Sequence, residues 1–422
     1  MNKNIKFQFG IDVLIGDLSL QKKLQGRRVA LLAHPASFHQ NHLDQNHGTP
    51  YLHSMDALKT KTSIQLMAAF GPQHGMRGEK QDNMMETEDF LDPKYQIPVY
   101  SLYGEVRRPT DKMMNSFDVL LVDMQDVGTR IYTFLTTLLY VMEACTKHKK
   151  SIWVLDRPNP AGRAIEGSFL RPGWESFVGA SRFPMRHGLT LGECALWIKE
   201  NHQLDVDLQV IAMKNYFPQQ GPGYGWPTEQ VPWVNPSPNA ANVNMARCFP
   251  GTVLIEGCLL SEGRGTTRPL ELFGAPDIDA EKVFHAMQTL CAAHAETKHW
   301  LDGAWIRPCY FQPTFHKHVG KLCQGLQMHT DFSEYNPNTF KPYRLTCLFL
   351  KAIRKLYPSY DIYRNFPYEY ETSRLAFDLI NGGSEVRQWI DDPQQTTLDL
   401  EKHFSADELR WQEEISKYLL YE

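Results

Sequence analysis

Nowhere in this 422-residue chain does an apolar run approach the roughly 20 residues needed to span a bilayer. The two signs of charge nearly cancel, with 44 Lys and Arg against 48 Asp and Glu and a formal net charge of −4. Such a balance provides no electrostatic attraction to nucleic acid or anionic lipid, so neither is expected as a partner. The eight cysteines include no C-x-x-C pair, which argues against a zinc site or a disulfide framework and for reduced, partly buried thiols. The dinucleotide fingerprint is missing too. GPGYG at 221–225 neither follows a strand nor opens a helix, and its proline spoils the turn. The amino terminus, MNKNIKFQFGIDVLIGDLSL, has no continuous apolar segment and no small-residue cleavage site, so a cytoplasmic protein is expected.

Short apolar runs recur at residues 28–33, 64–70, 118–123, 152–156 and 207–213, as strands buried on both faces of a parallel sheet would. Helical patterns lie between them. One covers residues 132–149 and ends in a basic cluster; another covers 190–201, where Thr190 followed by Glu193 reads as a capping box. This alternation predicts a Rossmann-like, doubly wound α/β domain. A chain of this length exceeds one core, so two domains are expected: residues 1–249, and a smaller α+β domain over 250–422 with helices near 280–295, 343–356 and 406–419. Residues 214–251, dense in Pro, Gly, Asn and Trp, read as a crossover or pocket wall.

Several stretches carry groups suited to chemistry. In LLVDMQDVGTRIYTF, Asp123, Gln125 and Asp126 end a strand while Arg130 and Tyr132 enter a helix. Side chains there either line the crevice at the carboxyl edge of the sheet or act locally, with Asp126 capping the helix and Asp123 pairing with Arg130. VLDRPNPAGRAIEG repeats the arrangement with Asp156, Arg157 and Asn159, and PMRHGLTLGE adds His187, which is either structural or catalytic. In LLSEGRGTTRPLE, Glu262 and Arg264 sit among glycines that permit close approach to a ligand, and Arg264 can grip a carboxylate with two parallel hydrogen bonds. The histidines at 39, 42, 47 and 53 match no zinc spacing and read as a polar loop.

SLYGEVRRPT, DMQDVGTRIYTF, LDRPNPAGR, SFVGA, PMRHGLTLGE, NPSPN, FPGTVLIEG and SEGRGTTRPLELFGAP occur in the order found in the exo-β-N-acetylmuramidase family, NamZ-type, and over residues 10–279 the chain resembles it closely. The resemblance implies a Rossmann-like domain, a smaller C-terminal domain closing a cleft, removal of N-acetylmuramic acid from non-reducing ends of peptidoglycan fragments, and no metal or organic cofactor. Its substrate would be a small amino sugar or muropeptide. Muramic acid bears a lactyl carboxylate, for which Arg130, Arg157 and Arg264 are candidates, and sugar faces stack on rings such as Tyr132, Trp226 and Trp233. Asn239, in NPSPN, joins the substrate-binding candidates on the same resemblance.

Glycoside cleavage ordinarily takes two carboxyl groups, drawn here from Glu262, Asp123, Asp126 and Glu86, although a substrate N-acetyl group can serve as internal nucleophile. The resemblance also locates a departure. In AAFGPQHGMRGEK, His74 and Arg77 match the family pattern, but the glutamate expected as catalytic acid is Gln73, which cannot titrate. Either another group supplies the proton, with His74 and Glu262 nearest in the motifs, or hydrolysis is slow, or the protein binds wall fragments without cleaving them. A nucleotide-dependent enzyme is a weaker third reading, since no phosphate loop is present.

Overall fold

The five apolar runs become parallel strands in one seven-stranded sheet. The computed structural model describes residues 6–40, 51–78, 80 and 84–422. From edge to edge the order is Asp207–Ile211, Ser151–Leu155, Val119–Asp123, Arg28–Ala33, Gln65–Gly71, Pro98–Ser101 and Phe90–Leu91. Six strands are parallel and the short Phe90–Leu91 edge runs antiparallel. The chain starts in the middle, builds outward to one side, then returns to build the other. That reversal makes the sheet doubly wound and collects loops at the carboxyl ends of its central strands.

Alternation along each strand divides the apolar side chains between two cores. Leu32, Phe70, Leu120, Val122 and Val154 face the helices Phe134–Lys147 and Leu191–Asn201. Leu31, Ala69, Leu121 and Leu155 face the opposite layer, which includes Ile11 of helix Gly10–Gly16 and Leu58 of helix Ser54–Lys61. The expected capping box forms: Thr190 Oγ1 accepts from the Glu193 N–H at 3.3 Å, and Glu193 Oε2 accepts from the Thr190 N–H at 2.8 Å.

The expected division at 249/250 falls inside helix Val243–Thr252, which runs into the 3-10 turn Val253–Gly257. Beyond it lies an antiparallel sheet ordered Leu272–Ala275, Cys323–His329, Trp305–Phe311, with helices Ala280–Cys291 and Pro342–Leu356 nearby. The last long helix starts earlier than the sequence pattern suggests, spanning Thr397–Ile415, and it returns to the first half. Its Glu408 and Asp407 accept the backbone N–H groups of Gly167 and Phe169 at 2.7 and 3.0 Å, covering a strand edge. One apolar core accordingly continues from Ala30 to Tyr418. Residues 215–242 hold neither helix nor strand. Among the described residues no helix is long and apolar enough to cross a membrane. All eight cysteines are buried and unpaired.

Candidate active site

The strand Gln65–Gly71 ends where Gly71 turns so sharply that a β-carbon there would sit 2.6 Å from the Met76 nitrogen. That turn delivers Gln73 and His74 to a cleft whose far wall comes from the second half of the chain. Thr133 Oγ1 donates to Gln73 Oε1 at 2.6 Å, which orients the amide, and Gln73 Nε2 then donates to Glu369 Oε1 at 3.1 Å. Tyr103 donates its hydroxyl proton to Glu369 Oε2 at 2.7 Å.

Glu369 is 6% exposed. Burial is the main force raising its pKa, to about 7, and the charge of Glu256 adds to it; the hydrogen bonds from Tyr103 and Gln73 work the other way. The backbone at Glu369 and Tyr370 has φ of 47° and 69°, a left-handed conformation that is unfavourable for side-chain-bearing residues. Surrounding contacts therefore hold this tip against its local preference.

A second carboxylate, Glu256, comes from the 3-10 turn. Its Oε1 accepts from Arg264 at 2.6 Å and its Oε2 from the Tyr368 hydroxyl at 2.8 Å. Tyr132, Asn239 and Phe249 complete the apolar and amide faces of the cleft.

Five of the residues expected from the sequence meet here: Gln73, His74, Tyr132, Asn239 and Arg264. The others lie elsewhere. Glu262 is fully buried behind Arg264, with Lys317 Nζ at 2.6 Å, Arg264 Nε at 3.1 Å and His316 Nδ1 at 3.3 Å. Burial opposes its charge, but the Lys317 ammonium, with help from His316 and Arg264, holds the carboxyl well below the usual range. Asp123 pairs not with Arg130 but with Arg157 Nε at 2.5 Å, and Arg157 Nη2 also reaches the Phe38 carbonyl at 2.9 Å. Among the described residues Arg130 meets no carboxylate; it donates to the carbonyls of Ser168, Phe183, Ile380 and Asn381 at 2.7–3.1 Å.

Gln125 donates its amide to the carbonyls of Asp126 and Pro158, both at 2.8 Å, and Asp126 accepts the Gly128 N–H at 2.6 Å with His187 Nε2 at 3.5 Å. Asn159 ties its own turn to Leu189 at 2.9 Å. Arg77 is exposed, lies over the Phe90 ring at 4.4 Å and lines an adjoining crevice. Trp226 packs on Trp233 at 4.9 Å and does not line the cleft. Glu86 is exposed and accepts from the Tyr370 hydroxyl at 2.8 Å. Of the histidine loop, His39 pairs with Asp12 at 2.6 Å and His53 caps helix Ser54–Lys61, while His42 and His47 lie outside the described residues. Among the described residues no three His, Cys, Asp or Glu side chains converge as a metal site.

Sequence reasoning missed Glu369 and Glu256. The signal for the first was FPYEYE, a carboxylate between two tyrosines; for the second it was the acid inside FPGTVLIEG.

Residues 29–244 match the model of the N-terminal domain of the exo-β-N-acetylmuramidase NamZ, and residues 247–421 match that of its C-terminal domain. Over 390 residues the chain is 37% identical to the peptidoglycan β-N-acetylmuramidase NamZ of Bacillus subtilis strain 168, covering 92% of this chain and 85% of that one. A crystal structure of a DUF1343 family protein from Bacteroides fragilis superposes with a TM-score of 0.82 at 28% identity, covering 99% of this chain and 100% of its own. A second from the same organism gives 0.71 at 25% identity, with 99% of each chain covered.

Proposed function

This chain belongs to the exo-β-N-acetylmuramidase NamZ family, and from that premise we propose that it removes terminal N-acetylmuramic acid from non-reducing ends of peptidoglycan fragments, with Glu369 as the proton donor. One observation carries the assignment: the Glu369 carboxyl stands 3.1 Å from Gln73, in the cleft, with its pKa raised to about 7. A general acid works best with a pKa near the operating pH, and a carboxyl reaches that range when it is buried. The acid that Gln73 cannot be is thus offered by a residue from the other half of the chain. We assign substrate-facing roles to Gln73, His74, Tyr132, Asn239 and Arg264. Glu262, Asp123, Gln125, Asp126, Arg130, Arg157, Asn159 and His187 we assign to the scaffold, since each is tied to protein groups and none lines the cleft.

In the same reading, residues 1–249 form the sheet lobe and residues 250–422 the lobe that closes the cleft. Eight buried, unpaired thiols support a reducing compartment and hence a role on recovered wall fragments inside the cell. A silent binder of such fragments remains the competing reading, favoured only by the amide at Gln73. Incubation with a chromogenic N-acetylmuramide, followed by calorimetric titration with MurNAc-GlcNAc, separates the two. Turnover is expected. Binding without turnover would establish the silent binder instead.

A further inference from the structure

Tyr368 and Glu371 exchange both of their backbone hydrogen bonds at 3.0 Å, which makes Glu369 and Tyr370 the central pair of a two-residue hairpin turn. Both have positive φ, 47° and 69°, as the two central positions of a type I′ turn do. Asn-Gly suits such a turn, whereas a glutamate and a tyrosine each add strain there. Glu369 has its reason in the cleft. Tyr370 is 55% exposed, so burial within its own lobe does not account for it.

The Tyr370 ring reaches across to the sheet lobe instead. The Arg107 guanidinium lies 3.8 Å from its centroid, and its hydroxyl donates to Glu86 Oε1 at 2.8 Å. Arg107 also lies 4.6 Å from the Tyr103 ring and is fixed by donating to the Gly104 carbonyl. Tyr103 is fully buried, and its hydroxyl is the one that donates to Glu369 Oε2 at 2.7 Å. The four side chains therefore close a loop in which both residues of the turn are held by Tyr103 and Arg107. Within it, the Arg107–Glu86 pair at 3.4 Å contributes little, because Glu86 is solvated. The guanidinium between two rings, with its side chain only 17% exposed, holds more strongly.

We propose that Tyr370 is a positioning residue for the reaction: docked on Arg107, it pins the strained turn so that the Glu369 carboxyl stands beside Gln73 in the cleft. This rests on the reading of Glu369 as proton donor. Tyr370 acts only through its neighbour. Losing the docking frees the turn to swing, and the carboxyl then leaves Gln73 and Tyr103 without any change at the cleft wall.

Two substrates test this: MurNAc-GlcNAc, whose leaving sugar needs a proton, and a nitrophenyl N-acetylmuramide, whose leaving group needs none. Tyr370→Gly suits the turn backbone, so the fold is kept. It should lower kcat on MurNAc-GlcNAc roughly 10–10²-fold, as a displacement of about 1 Å can, with KM unchanged. Nitrophenyl turnover should fall by no more than about threefold, because that step bypasses the acid. Arg107→Met should reproduce this split, and Tyr370→Phe, which keeps a ring over the guanidinium, should retain most activity. Equal losses on both substrates would make the contact merely structural and overturn the proposal. Full activity in Tyr370→Gly, or a Tyr370→Phe variant as impaired as Tyr370→Gly, would overturn it too. Glu369→Gln reports on the reading beneath: recovery with nitrophenol leaves that reading standing whatever Tyr370 does, and equal loss on both substrates defeats it and the proposal together.

Discussion

Gln73 and Glu369 are 296 positions apart in the chain, yet the amide of one donates to the carboxyl of the other at 3.1 Å. Thr133 fixes which face of the amide is presented, and Tyr103 holds the second carboxyl oxygen. The amide acts on the carboxyl we propose as the acid rather than in place of it.

Replacing the acid should therefore stop catalysis on unactivated sugars. Glu369→Gln should lower kcat roughly 10²–10⁴-fold on MurNAc-GlcNAc with the circular dichroism spectrum unchanged, because general acid help is typically of that size. In the wild type, kcat/KM should fall as pH rises through about 7, where Glu369 loses its proton. The same raised pKa means that the folded state holds this proton more tightly than the unfolded chain. Its stabilising effect is full below the ordinary carboxyl range and is lost as pH rises through about 7. A folded Glu369→Gln variant with unchanged turnover would remove the residue from the mechanism.

Gln73→Glu sets two carboxyl groups about 3.1 Å apart, a spacing at which like charges resist joint ionisation. The alkaline limb of the kcat/KM profile should move upward from about 7, and the rate near neutrality should change little or fall. An inactive wild type beside a brisk Gln73→Glu variant would show instead that the amide had silenced the site.

Arg264→Lys distinguishes a substrate clamp from a carboxylate holder. The guanidinium contacts Glu256 and Glu262 at 2.6 and 3.1 Å, and an ammonium cannot span both in that planar geometry. Turnover should drop at least tenfold, while calorimetric affinities for N-acetylmuramic acid and N-acetylglucosamine fall together. A loss confined to N-acetylmuramic acid would assign Arg264 to the lactyl carboxylate.

Arg130→Met should act on stability and not on substrate. Four carbonyls from three segments lose a buried donor, at a cost of about 2–5 kcal/mol in urea denaturation. KM of the folded fraction should be unchanged. A raised KM with intact stability would return the residue to the substrate.

Tyr421 donates to Asp156 Oδ2 at 2.7 Å, joined there by Thr190 at 2.7 Å. Burial, then the charge of Glu193, pushes the Asp156 carboxyl up to about 6, and the Tyr421 hydroxyl opposes the shift. A raised carboxyl stabilises the fold below its unfolded pKa and loses that effect as pH rises through about 6. Tyr421→Phe removes a donor from the charged form, so its destabilisation should be larger at pH 8, by about 1.5–3 kcal/mol, than at pH 5. Equal losses at both pH values would mean that the hydroxyl does not sense the charge.

Local order along the chain was enough to reveal the sheet, because strand and helix patterns depend on neighbours a few residues apart. VLLVD reads as a strand buried on both faces and is one, and Thr190 with Glu193 reads as a capping box and forms it. The carboxyl we propose as proton donor was not legible in this way. Glu369 acquires its raised pKa only when a hairpin tip with strained φ angles is pressed against the sheet lobe, removing water and adding Tyr103 and Gln73. Arg130 and Arg157 show the same division: each is an arginine at a strand end in the sequence, and only packing decides that one meets four carbonyls and the other Asp123. Burial and charge proximity arise between segments hundreds of residues apart, and the pKa of a carboxyl is set by those two quantities.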